Sequence, residues 1–163
     1  MDNKDYHDRE TARWLLIAER DLNMAAKNQD EFPETSAYLF QQAAEKYLKA
    51  FLFFHQEPIN KTHDISRIIL QCVLHSQDFL RLARTDTERL TRMATYYRYP
   101  NDDGVDNVDE DDLIMAREFA LTIQSMVLSA MPDSVMRHLD DLSRLSRDHA
   151  KISGSITASC VDF

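Results

Sequence analysis

Three groups of residues have types and spacings that could do chemistry. The first is Gln41, Gln42, Glu45, Lys46 and Lys49, with Tyr38 at its start. These fall on one arc of a segment, Tyr38 to Phe54, that contains no glycine and no proline. Glu45 and Lys49 stand four apart in the Glu-before-Lys order that stabilises a helix by a few tenths of a kcal/mol. The second group is Arg89, Arg92, Tyr96 and Tyr99 at i, i+3, i+7 and i+10, with Arg98 directly before Tyr99 and Pro100. Arginine beside tyrosine suits nucleotides, because a guanidinium fork grips phosphate and an aromatic face stacks on a base. Proline pushes Tyr99 out of the α region, so a helix should end near Arg98 and leave its side chain free to swing toward the first group. Arg98, Lys46 and Lys49 sharing a cleft would need an anion, and phosphate fits it. The competing outcome is internal neutralisation of Arg98 by Glu45 and Asp21. The third group is Arg144 and His149, an arginine and a histidine with four residues between them.

The elements that must position these groups read as helices throughout. Two glycines and four prolines in 163 residues argue against a sheet protein with many tight turns. Pro33, Pro58, Pro100 and Pro132 lie between periodic segments, where a helix stops or starts. All-α is the expected class, in one domain long enough to bury a core. In the Tyr38–Phe54 segment, Leu39, Phe40, Ala43, Ala44, Tyr47, Leu48, Ala50, Phe51 and Phe54 cover about half the helix circumference, which suits a central helix touched by several neighbours.

A first helix over about 8–28 carries Trp14, Ile17, Ala18, Leu22, Met24 and Ala25 at helical spacing, with Asp21 inside the apolar face. Asp21 is either a carboxylate at the rim of the core or a site residue facing the cleft. Residues 56–65 read as a surface loop, with Thr62 or Asp64 capping a third helix through Ile65, Ile68, Ile69, Cys72 and Val73. His63 reads as a hydrogen-bonding partner rather than a metal ligand, since no second ligand lies nearby at metal spacing. A short helical piece is expected over 79–84. Thr85 to Glu88 match a capping box that starts a fourth helix at Asp86. A fifth helix over about 111–130 has a core stripe including Leu113, Phe119, Ile123 and Val127. Val135, Leu139, Leu142 and Leu145 make a weaker amphipathic helix, and a frayed tail is expected from Ser153.

The formal charge of −9 is largely local. Residues 101–112 hold seven acids and no base; removing them from the 28 acids leaves 21 against 19 basic residues. A basic face elsewhere is therefore possible. That acidic stretch is no calcium loop, because placing Gly104 at the sixth position puts Tyr99 at the first ligand. Cys72 and Cys160 are far apart and form no Cys-x-x-Cys pair, which fits a reducing cytoplasm and no cysteine-based zinc site. Neither a leader nor a membrane span is expected, and no cofactor motif is visible.

Four patterns in order carry a resemblance. They are Trp14-Leu15-Leu16-Ile17-Ala18-Glu19-Arg20-Asp21-Leu22, Gln41-Gln42-Ala43-Ala44-Glu45-Lys46-Tyr47-Leu48-Lys49-Ala50, Lys61-Thr62-His63-Asp64-Ile65, and Tyr96-Tyr97-Arg98-Tyr99-Pro100. Together, across about 13–130, they resemble the HEPN (Higher Eukaryotes and Prokaryotes Nucleotide-binding) family of small bacterial and archaeal helical domains, in a branch with an Arg-Tyr-Pro motif. The resemblance implies an antiparallel up-and-down bundle of about five helices over 8–131, with 132–163 a C-terminal extension and tail. It further implies a dimer, often encoded beside a minimal nucleotidyltransferase, that binds nucleotides or RNA. Some branches are ribonucleases of toxin–antitoxin systems, built on an arginine followed after four to six residues by a histidine. From Arg98 those spacings fall on Asp103, Gly104 and Val105, so the resembling region lacks that histidine. Arg144 and His149 meet the spacing outside it, where ~1.4 matches arise by chance from this composition.

The function expected is non-catalytic binding of a nucleotide or nucleic-acid phosphate. Arg98 would hold the phosphate, Tyr96 or Tyr99 would stack, and Lys46, Lys49, Gln42, Glu45 and Asp21 would complete the site. The rivals are a metal-independent endoribonuclease using Arg144 and His149, and a structural homodimer whose arginines and tyrosines are buried at the interface.

Overall fold

The computed structural model describes residues 2–59, 61–85, 87–91 and 108–158. All the regular structure among them is helical: α1 (Asn3–Asn28), α2 (Pro33–Phe54), α3 (Ile65–Val73), a 3-10 segment (Gln77–Arg84), α4 (Glu110–Ala130) and α5 (Asp133–Ala158). Residues 87–91 are also helical. The all-α bundle expected from the scarcity of glycine is what forms.

Helix α1 starts five residues earlier than its apolar pattern, and a tight turn at 29–32 folds α2 back along it. Pro33 begins α2, where its missing N–H costs nothing and its fixed φ already suits a helix. The expected central helix is therefore one turn longer at its start. The face of α1 that meets α2 is Ala12, Leu15, Ala18, Leu22 and Ala25, all buried. Ala43 and Ala44, fully buried, let α1 and α4 come close to α2. Helix α4 lays Ala116, Phe119, Ala120, Ile123 and Val127 into the core. By length and apolarity alone α4 could cross a membrane, yet this stripe is the face that packs on α2. The core of Phe40, Tyr47, Leu48, Phe51, Phe79 and Ile123 lies around α2.

The ends are defined by polar chemistry. Asp109 accepts from the Asp112 backbone N–H at 2.7 Å, and Asp112 reciprocates, which makes a capping box for α4. The acidic run thus has a local task at the positive end of that helix. Helix α2 ends with Gln56 at φ 61°, Gln56 N–H donating to Phe53 O and Glu57 N–H to Leu52 O. That double closure normally recruits glycine, and it turns the chain into the loop that carries Thr62 and His63. Helix α5 docks on α1 through His138–Asp5 and Arg20–Ser146, each at 3.0 Å, and through a hydrogen bond from Ser134 to Asp8, which is buried and also accepts from Lys4 Nζ of its own helix at 2.7 Å. It runs to Ala158.

Candidate functional site

Helix α2 buries most of its circumference, and the polar arc is no exception. Gln41, Glu45 and Lys49, successive at four-residue spacing, are 1%, 4% and 8% exposed. The stripe was expected to line a cleft; these three of its residues are enclosed by packing, while Gln42 and Lys46 are partly exposed. Lys49 Nζ donates to Glu45 Oε1 at 2.7 Å and to the Thr62 carbonyl at 2.9 Å. His63 Nδ1 lies 3.0 and 3.2 Å from the two oxygens of the same carboxylate. Glu45 is thus a buried anion that holds its own helix neighbour and a loop residue 18 positions away.

The Lys61–Ile65 sequence can be read residue by residue from this. Thr62 offers its carbonyl to Lys49, and its hydroxyl accepts from the Asp64 N–H at 3.1 Å. His63 meets Glu45, and Asp64 caps α3 by accepting from the Arg67 N–H at 3.3 Å. Ile65 is fully buried. Of the two candidate caps, Asp64 is the one used.

One step round the helix, Lys46 pairs with Asp21 of α1 in a short ion pair. Asp21 thus ties α1 to α2. Gln42 Nε2 donates to Gln41 Oε1 at 2.7 Å, and Gln41 Nε2, buried, has no partner among the described residues. Behind the stripe, Tyr47 is buried with its hydroxyl accepting from Gln124 of α4 at 3.0 Å. Burial pushes that phenol well above its ordinary range, so it stays neutral. Buried in the same core, the Cys72 thiol is pushed up to about 12 and is unreactive.

The structure brings Asp21, Gln42, Glu45, Lys46 and Lys49 onto one region of α2 and its neighbours. Tyr96, Arg98 and Tyr99 lie outside the described residues, as do Asp86, Arg92 and residues 101–107. Arg89, expected in the phosphate-facing row, is paired with Asp112 and lies 3.5 Å from Asp109, at the start of α4. Arg144 is exposed on α5, 4.0 Å from Asp141, and the side chain of His149 lies outside the described residues. His63, read from the sequence as a hydrogen-bonding partner, is one; that its partner is Glu45 is what the sequence did not say. Among the described residues no cluster of histidine, cysteine and carboxylate is placed to hold a metal ion.

A bundle organised around one enclosed helix with a buried acid–base stripe defines a class of small helical domain. The HEPN domain family model matches residues 11–130, and the chain belongs to the HEPN family. No curated protein and no solved structure matches the chain.

Proposed function

We propose that this HEPN protein binds a nucleotide or a nucleic-acid phosphate without cutting it, on the polar stripe of α2. The observation that supports the reading is the buried Gln41–Glu45–Lys49 row. Burying a carboxylate and an ammonium costs several kcal/mol of desolvation per ion, and apolar residues of similar volume would serve the fold as well or better. What this row holds in place is the Thr62–His63 segment beside it. Arg98 is the phosphate-gripping group in this reading, Tyr96 or Tyr99 the stacking group, and Lys46 the cation nearest the surface of the stripe. A homodimer working in the cytoplasm beside a minimal nucleotidyltransferase is the assembly that the family resemblance implies; its toxin–antitoxin branches fit the same pairing.

One observation favours the second reading, a structural interaction module. Lys46 and Lys49 each already hold a carboxylate, so these two pairs carry no net charge. Titration of ATP, other nucleotides and short RNAs into wild type, Arg98→Ala and Lys46→Ala separates the two. Weaker binding with unchanged thermal stability supports the site. Lost stability, with no binding by any of the proteins, assigns these residues to the fold alone. Sedimentation of the pure protein and of its mixture with a neighbouring nucleotidyltransferase tests the assembly, and a single 19.0 kDa species in both runs would refute it.

A further inference from the structure

We infer that His63, oriented by Glu45, is the ligand-facing group of the stripe and donates from Nε2 to a phosphate oxygen of a nucleotide or RNA strand. The inference rests on the phosphate-binding reading above and supplies it with a contact that the sequence did not single out.

The argument begins with the two ends of one imidazole. Nδ1 is committed to a carboxylate that is 4% exposed, whereas the His63 side chain is itself 56% exposed. The Nδ1 bond fixes the ring plane, and the opposite nitrogen makes no hydrogen bond to the described residues. A carboxylate behind one nitrogen is how proteins present the other nitrogen in a defined direction. Were His63 only a loop anchor, a single donor to Glu45 would suffice. Lys49 already anchors that loop through the Thr62 carbonyl.

Charge decides what the free nitrogen can take. The charged groups that the described residues place around His63 are Glu45 and Lys49 from α2, with Lys61 and Asp64 beside it on the loop. Those four balance when His63 is neutral. Protonated His63 gives the cluster one positive charge and places it on the exposed edge of the ring. An oxyanion there accepts a charge-assisted hydrogen bond, and its own charge favours the protonated ring. The buried Gln41 Nε2, one turn before Glu45 on the same row, is a second polar group in this region, and it has no hydrogen-bond partner among the described residues.

The test is binding of AMP, ATP and a short single-stranded RNA at about pH 6 and 8, by calorimetry. The proteins are wild type, His63→Gln, Arg98→Ala and a His138→Gln control at the Asp5 contact on α1. Losing a hydrogen bond to a charged group corresponds to about tenfold weaker binding or more. His63→Gln should show that loss at pH 6, while His138→Gln behaves as wild type. Nitrogen-15 spectra of the wild-type histidine rings should show the His63 Nε2 signal moving as AMP is added. Wild-type affinity in His63→Gln at both pH values, with Arg98→Ala weakened, would overturn this inference and leave the phosphate-binding reading standing. No binding by wild type at either pH, with an unmoved ring signal, would overturn both.

Discussion

Glu45→Ala is the substitution whose cost the geometry constrains best. It removes the acceptor of the 2.7 Å bond from Lys49 and of the 3.0 Å bond from His63. The Lys49 side chain, 11% exposed, would remain charged in the interior with only the Thr62 carbonyl. Removing one partner of a buried ion pair costs about 3–5 kcal/mol. The retained carbonyl bond places this case at the lower end, and the exposed His63 contact adds about 1 kcal/mol at most. A loss of about 3 kcal/mol corresponds to a fall of about 6–12 °C in Tm for a chain of this size. The reasoning makes a sharper claim about the pair. Because the fold needs volume here and not charge, Glu45→Leu combined with Lys49→Met should recover most of the loss, with a coupling energy of about 2 kcal/mol or more. Urea denaturation of the two single variants and the double variant measures it. A loss below about 1 kcal/mol in Glu45→Ala, or a double variant as unstable as the two singles added together, would show that the stripe is not a buried pair.

Leu48→Ala should cost about 2–5 kcal/mol, because Leu48 is fully enclosed and the helices around it cannot collapse into the space; a change under about 0.5 kcal/mol in chemical denaturation would remove it from the core. His55 gives a pH dependence of known sign. Burial lowers its pKa below 6.5, the stacked His75 ring at 4.4 Å lowers it further, and Glu57 only partly opposes them. The unfolded chain then binds the proton more readily, so this stability is present above pH 6.5 and is lost as pH falls through the folded-state value. In His55→Phe that loss is absent, so the variant should gain on wild type between about pH 7.5 and 5, and a constant difference would refute the assignment. Purified protein should leave labelled single-stranded and transfer RNAs intact; cleavage abolished by His149→Ala would instead promote the Arg144–His149 pair.

The fold class was written in the chain at short range. Helical periodicity, four prolines between segments and two glycines leave a helix bundle as the arrangement that buries these stripes. Tyr47 and Leu48 in the core, Asp64 at the start of α3 and the Glu45–Lys49 pair four apart all follow from spacing within one element. Other features are not legible in that way. The acids around Asp109 and Asp112 read from the sequence as favourable charge at the positive end of a helix, but that these two close a capping box shows only once the backbone turns there. Lys46 finds Asp21 across 25 residues, and Glu45 finds His63 across 18. A helical pattern determines which residues share a face; it does not determine which other element lies on that face. Only the docking of α1 and of the loop carrying Thr62 and His63 against α2 gave Lys46 its Asp21 partner and made Glu45 a buried carboxylate with two nitrogen donors, one from its own helix and one from the loop. The desolvation that accompanies this burial is a property of the assembled tertiary structure, and no single segment carries it.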